Sequence, residues 1–341
     1  MINPNVCFIT YRQGHHSPHS GYDRITQYAD RIIEAEPLPR SLVRDRIMWR
    51  IADGVIAYDR QSLATELKAA VSMLKGHRRI YHVLYGENTY HYLGLLNNSR
   101  QNRLVATFHL PPDAFRKVVR TEWHIQQLSA VVCVGQTQLE FFAGILDQER
   151  VFFVPHGVDT EYFSPPVMFA ERGSNLCLFV GSYLRDFPTL RGVIELVTFQ
   201  RPETEFIVVT SPDNFERIGV HPNLTLRTGI TESELLSLYR RAAVMVMPMQ
   251  DATANNAILE GMACGLPVVA TDVGAIRDYL TPACAVLVPA HDSRTMAQEV
   301  LNLLDDNVRR QHISEQVRRE ALRFSWPEVV RRLHSVYEAI A

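Results

Sequence analysis

A chain of 341 residues, 46% hydrophobic and 21% charged, is long enough for two domains with real cores. Its 35 basic and 37 acidic residues leave a formal net charge of -2, which argues against a nucleic-acid binder. The 13 histidines show no metal-ligand spacing, and no stretch approaches the ~20 apolar residues that span a bilayer.

Residues 1–10 carry no basic run and no long apolar core, so no signal peptide is expected. The five cysteines, Cys7, Cys133, Cys177, Cys264 and Cys284, form no C-x-x-C pair, and four of them lie in apolar, strand-like runs. Free buried thiols and a reducing, cytoplasmic compartment are the expectation.

Short β-rich runs alternate with helical ones along nearly the whole chain, the pattern of parallel sheets with crossover helices. The first strand candidate is Val6–Tyr11, followed by the glycine-bearing loop Arg12-Gln13-Gly14-His15-His16. Between Arg40 and Ile51, Arg40, Arg44, Arg46 and Arg50 flank Val43, Ile47, Met48, Trp49 and Ile51, which suggests a membrane-surface helix. On a helical wheel the arginines do not segregate, so a peripheral membrane contact stands beside a solvated or interdomain helix. Gln61–Lys75 places Leu63, Leu67, Ala70, Val71 and Leu74 on one face at 3–4 residue spacing, which reads as a helix.

Strand candidates Ile80–Tyr85, Leu104–His109, Val131–Val134 and Val151–Val154 complete the first half. Their near-continuous apolarity implies cover on both faces. Pro155-His156-Gly157 and Pro165-Pro166 discourage helix and strand alike, which puts an interdomain linker at Pro155–Ser174. A new alternation follows, with strands at Leu176–Val180, Phe206–Thr210, Leu224–Arg227, Val244–Met247, Pro267–Ala270 and Val286–Val288. Thr231-Glu232-Ser233-Glu234 reads as a capping box opening a helix over Leu235–Arg241. The fold class is α/β, two doubly wound parallel-sheet units. Ligands of such sheets sit beyond the carboxyl ends of the strands.

The loop after Val244–Met247 runs from Asp251 to Asn255-Asn256, where a helix opens, a natural seat for a phosphate. Glu260 is the only charge between Ala257 and Ala270. A carboxylate in so apolar a run needs water or a strong partner, and in a nucleotide site it can accept from ribose hydroxyls.

The segment Asp251–Gly274, with Gly265-Leu266-Pro267-Val268-Val269-Ala270, resembles the donor-binding motif of family-4 glycosyltransferases, retaining enzymes of the GT-B fold. The resemblance implies that Glu260 is the second acid of that motif and holds the donor ribose. Eight positions earlier stands Ala252, with Asp251 one residue before it. Either Asp251 takes the first acid's place at the sugar hydroxyls through a one-residue loop shift, or that contact is lost. Asn255 and Asn256 stand where the family has an aromatic–glycine pair, with Ala257 beside them in the donor set.

Val154-Pro155-His156-Gly157-Val158-Asp159 looks like the family's linker, and Gly181-Ser182 with Arg185 occupies the place of its two diphosphate-binding cations. With Ser182 in place of the arginine, Arg185 is the candidate for leaving-group charge. Thr107-Phe108-His109 looks like the family's strand ending in Thr-x-His, which delivers His109 to the reacting carbon. Gly14 fits the family's N-terminal donor loop. His15, His16, Tyr85, Glu87 and Asn88 are acceptor-site candidates by position alone.

The last stretch, Phe324–Tyr337, resembles the helix that crosses back to the N-terminal domain. Domains are therefore expected at 1–160, with helix 325–341 returning to it, and 161–324. The implied reaction is retaining transfer from a nucleotide-sugar co-substrate to a sugar, lipid-linked or small-molecule acceptor, with no metal and no further cofactor. A nucleotide-sugar epimerase and a catalytically silent sugar-nucleotide binder are the alternatives.

Overall fold

The computed structural model describes residues 5–11, 17–74, 78–97 and 102–341. The chain divides into two units: Met1–His156 with Trp326–Ala341, and Gly157–Ser325.

The first unit is built on a six-stranded sheet in the order β2-β1-β3-β4-β5-β6. Its strands are β1 (Val6–Ile9), β2 (Ile32–Ile33), β3 (Ile80–Val83), β4 (Arg103–Phe108), β5 (Ala130–Cys133) and β6 (Val151–Phe153). Every pairing is parallel. The strands β1, β3 and β5 are buried along their whole length, as unbroken apolar runs require when helices cover both faces. The two-residue β2 is too short to leave a periodic signal, and sequence reading misses it.

One polar side chain interrupts the apolar run of β3. His82 is fully buried, with Nδ1 2.7 Å from the Tyr337 hydroxyl and Nε2 2.7 Å from Thr107 Oγ1. Both ring nitrogens are thus satisfied, and burial pushes the ring pKa down to about 3. Through this histidine the helix Trp326–Ile340 is tied to β3 and β4.

The helix Arg60–Met73 divides the apolar face read from its spacing: Ala70 is buried and Leu63 packs against the core, but the rest of that face does not. It buries Ser62, Thr65, Glu66, Ala69 and Met73, while Leu67, Val71 and the capping Leu74 are exposed. The cause is Glu66, whose carboxylate accepts from the Tyr58 hydroxyl and from the backbone N–H groups of His91, Tyr92 and Leu93. Four donors converging on one carboxylate set the inward face, and leaving three aliphatic side chains in water costs less than stranding that network. The helix Asp45–Ala52 buries Met48 and leaves Trp49 exposed.

The second unit carries the sheet β12-β11-β10-β7-β8-β9, again all parallel. Its strands are β7 (Leu176–Val180), β8 (Glu205–Val209), β9 (Leu224–Arg227), β10 (Val244–Met247), β11 (Val268–Thr271) and β12 (Val286–Val288). The helix Glu232–Arg241 opens with the capping box read from sequence: Thr231 Oγ1 accepts from Glu234 N, and Glu234 Oε2 accepts from Thr231 N at 2.7 Å.

The boundary between the two units falls at His156–Gly157, within the expected linker Pro155–Ser174. Residues 157–174 pack into the second unit: Phe163 is fully buried, and Arg318 donates to the carbonyls of Thr160 and Phe163. Arg172, also buried, donates to the carbonyls of Tyr239, Ala242 and Cys264. It thereby serves chain ends that their own helices leave unpaired. All five cysteines are free and buried. Among the described residues no helix is long and apolar enough to cross a membrane.

Candidate functional site

The chemistry-bearing loops leave the carboxyl ends of the strands, and each unit is built separately from its own residues.

In the second unit, β7 ends at Val180 and the chain turns at Gly181, whose φ of +113° a side-chain-bearing residue rarely adopts. A Cβ there would come 2.3 Å from Arg185 Nη2, so glycine also makes room for the guanidinium. Arg185 is 9% exposed. It folds back beneath the turn, donating from Nη1 to the Tyr183 carbonyl at 2.8 Å and from Nη2 to the Val180 carbonyl at 3.2 Å and Asn255 Oδ1 at 3.3 Å. Burial pushes its pKa down to about 10, so it remains a cation at neutral pH.

Asn255, across from it, is the N-cap of the helix Asn256–Ala263, with Oδ1 accepting from Ile258 N at 3.2 Å. Asn256 and Ala257 form the first turn, where backbone N–H groups have no intrahelical acceptor. One turn further on, Glu260 is 5% exposed and accepts from the Tyr239 hydroxyl at 2.9 Å. The structure thus brings Gly181, Arg185, Asn255, Asn256, Ala257 and Glu260 to one end of the sheet.

Tyr239 is the residue sequence reading missed. It lies fully buried on the helix Glu232–Arg241, where a tyrosine among leucines reads as core packing. The isolation of Glu260 demanded a partner, but nothing local could say which.

Asp251 lies in the loop after β10, partly buried, with Oδ1 accepting from its neighbour Ala252 N at 2.8 Å. A Cβ at Gly274, in the turn after β11, would come 2.3 Å from that same oxygen. Asp251 is thereby pressed onto the Gly274 turn. Ser182, in the place of the family's arginine, holds the neighbouring loop: its Oγ is 3.0 Å from Thr210 Oγ1 and accepts from Ser211 N at 2.9 Å.

In the first unit, His109 follows the last residue of β4, as the strand candidate ending there implies. Its Nε2 lies 2.8 Å from the Leu84 carbonyl, which can only accept, so Nε2 carries the proton. Rings surround it: Tyr22 at 4.8 Å edge-on, Tyr85 at 5.0 Å and His156 at 6.0 Å between centroids.

Tyr85 donates from its hydroxyl to Asp23 Oδ1 at 3.1 Å. Glu87 is buried, with Oε1 accepting from His109 N at 3.1 Å, and burial pushes its carboxyl up to about 7. The Asn88 carbonyl accepts from Ser62 Oγ. Of the acceptor-site candidates, Tyr85 and Glu87 cluster with His109. Gly14, His15 and His16 lie outside the described residues. Among the described residues no group of three or more His, Cys, Asp or Glu side chains could hold a metal ion.

Residues 174–306 match the family model described as glycosyl transferases group 1. The chain is 28% identical over 215 residues to the D-inositol 3-phosphate glycosyltransferase of Thermobispora bispora, covering 55% of this chain and 50% of that protein. It is 27% identical over 256 residues to the protein of the same name from Xylanimonas cellulosilytica, covering 66% of this chain and 60% of the other. The chain thus spans about half the length of the first of these relatives and three fifths of the second.

Among solved structures, Anabaena HepE in complex with UDP and glucose superposes with a TM-score of 0.68 at 15% identity, covering 98% of this chain and 100% of that one. Sucrose-phosphate synthase from Thermosynechococcus elongatus gives a TM-score of 0.63 at 18% identity, covering 80% and 77%. At such identities the likeness concerns the fold: two Rossmann-like parallel-sheet units, the architecture named GT-B.

Proposed function

We propose that this protein is a retaining, family-4-type glycosyltransferase that takes a glycosyl group from a nucleotide-sugar donor and places it on a hydroxyl of an acceptor. The observation that carries this reading is the donor cluster of the second unit: an Asn255-capped helix start, the buried Arg185 cation bonded to that cap, and the buried Glu260 held by Tyr239. The helix start and Arg185 suit a diphosphate, and the carboxylate of Glu260 suits a pair of ribose hydroxyls. The match of residues 174–306 to group 1 glycosyl transferases supports it, as do the names of the curated relatives. The presence of UDP and glucose in the HepE structure supports a nucleoside diphosphate sugar as donor.

In this mechanism the bond from the anomeric carbon to the diphosphate breaks. The acceptor oxygen bonds to that carbon on the same face, and its proton passes to a diphosphate oxygen. No protein nucleophile takes part, so the protein's share is orientation and charge stabilisation. Arg185 offsets charge gathering on the leaving diphosphate. Asp251 holds donor-sugar hydroxyls, and His109 faces the sugar near the reacting carbon. The reaction needs no metal ion in this reading, and the five free thiols fit a reducing, cytoplasmic setting.

The test is incubation of the purified protein with a panel of nucleotide sugars, with and without sugar, lipid-linked and small polar acceptors, reading nucleotide release and product configuration. Release that acceptors accelerate, with retained configuration, is the expected result. Conversion of the donor without release makes the protein an epimerase, and binding without conversion makes it a silent sugar-nucleotide binder. Either result overturns the proposal.

A further inference from the structure

The transfer chemistry assigns no task to the Tyr85-Gly86-Glu87-Asn88 turn, yet this turn is where the first unit spends a buried carboxyl. β3 and β4 pair in parallel with Val83 opposite Ala106, so their carboxyl ends lie side by side. Leu84 and Glu87 come from the end of one strand and His109 from the end of the other.

Two hydrogen bonds cross between these ends, and both close on His109. The Leu84 carbonyl accepts from the ring Nε2–H at 2.8 Å, and Glu87 Oε1 accepts from the His109 main-chain N–H at 3.1 Å. Gly86 makes the approach achievable: a Cβ there would come 2.5 Å from Phe108 Cε1, so the turn lies against the ring of the residue preceding His109.

Glu87 is 4% exposed, and its other oxygen, Oε2, has no hydrogen-bond partner among the described residues. A carboxyl is a costly group to bury with one oxygen unpaired. A carboxyl that served only to close its one-turn helix, Gly86–Thr89, could be replaced by a small residue without that cost.

We infer that Glu87 is the positioning residue for His109, holding the end of β4 through the His109 main-chain N–H so that the ring keeps the orientation set by Leu84. This rests on the reading of His109 as the residue facing the donor sugar. The His109 N–H lies one residue beyond the end of β4 and has Glu87 Oε1 as its acceptor. Without its acceptor it must find another, and the ring moves with the backbone. The acceptor oxygen does the positioning, so a side chain with the same oxygen and no charge serves as well.

The experiment uses the full chain with isotope-labelled histidine and two near-isosteric variants, Glu87→Leu and Glu87→Gln. The His109 ring resonance is identified by its loss in His109→Asn. In Glu87→Leu the His109 resonance shifts and kcat for nucleotide release falls about tenfold or more, while KM and UDP affinity stay within about twofold. Glu87→Gln keeps the resonance in place and recovers most of the kcat that Glu87→Leu loses.

An unmoved resonance with unchanged kcat in Glu87→Leu overturns the inference. So does a Glu87→Gln protein as slow as Glu87→Leu with its resonance in place, since charge or proton transfer would then be the role. If Glu87→Leu does not fold, Glu87→Ala, which also lacks the accepting oxygen, takes its place in the same two readouts. If the wild-type protein turns over no nucleotide sugar, the transferase reading has failed, and the resonance still decides whether Glu87 holds His109.

Discussion

Replacing Glu260 by alanine separates a structural carboxylate from a ligand-binding one. Glu260 is 5% exposed and accepts a hydrogen bond from the Tyr239 hydroxyl at 2.9 Å, on a helix turn beyond the Asn255 cap. A hydrogen bond to a charged group contributes about 1.5–3 kcal/mol. If the carboxylate binds ribose, Glu260→Ala therefore weakens nucleoside diphosphate binding by roughly 10- to 150-fold.

The same substitution strands the Tyr239 hydroxyl in the core, which costs stability by about 1–3 kcal/mol. The two effects part in the double variant Tyr239→Phe/Glu260→Ala. Removing the orphaned hydroxyl restores most of the lost stability, because both partners of the bond are then gone. It does nothing for the ribose. Urea unfolding and calorimetric titration with UDP, GDP and ADP, run on wild type, both singles and the double, read the two quantities independently. Unchanged affinity in Glu260→Ala, or affinity that returns together with stability in the double variant, refutes the ribose assignment.

Arg185→Ala removes a cation and also the donor to the Val180, Tyr183 and Asn255 oxygens, so turnover falls at least about tenfold. The melting temperature falls by several degrees with it, since each kcal/mol lost shifts a unit of this size by roughly 2–4 °C. Undiminished turnover would remove Arg185 from the diphosphate. Gly181→Ala, which drives a Cβ into the same guanidinium, reproduces both losses in thermal melts and rate assays. A fully active Gly181→Ala protein contradicts the inward Arg185 geometry.

His109→Ala lowers kcat about tenfold or more with nucleoside diphosphate affinity within about twofold, and a destabilised but fully active variant ends the donor-facing reading. Glu87, with its carboxyl pushed by burial from 4.5 up to about 7, keeps its proton in the folded state while the unfolded chain has lost it. Stability is therefore full below pH 4.5 and declines as pH rises toward 7, by about 3 kcal/mol in all. Glu87→Gln removes that decline. Urea unfolding of both proteins from pH 4 to 8 checks it, and parallel curves would show that Glu87 does not titrate in this range.

The sequence by itself determined the class of fold. Eleven β-rich runs, from Val6 to Val288, each become a strand of one of two parallel sheets, and the inner ones are apolar along their length because both faces are covered, whereas burial alternates along β8 and the edge strand β9. The capping box at Thr231 was equally legible, since the atoms that meet there lie three residues apart, and so was the helix start at Asn255-Asn256. Glu260 stood out as the one charge inside an apolar run and His109 as the end of a strand run, whereas Arg185 stood out only through the resemblance to the family's diphosphate-binding pair.

What only the tertiary structure decided is where those side chains turn and what they hold. Leu67 and Val71 of the helix Arg60–Met73 face out while Glu66 faces in, because Glu66 gathers donors up to 27 residues away. Glu260 finds Tyr239 21 residues back along the chain, and Arg185 turns inward to an Asn255 that is 70 residues on. Glu87 binds a main-chain N–H 22 residues further on, at the end of a neighbouring strand. Periodicity records how one element meets its own surroundings. Hydrogen bonds between strand ends depend on which strands the sheet sets side by side, a fact no local window of the chain contains.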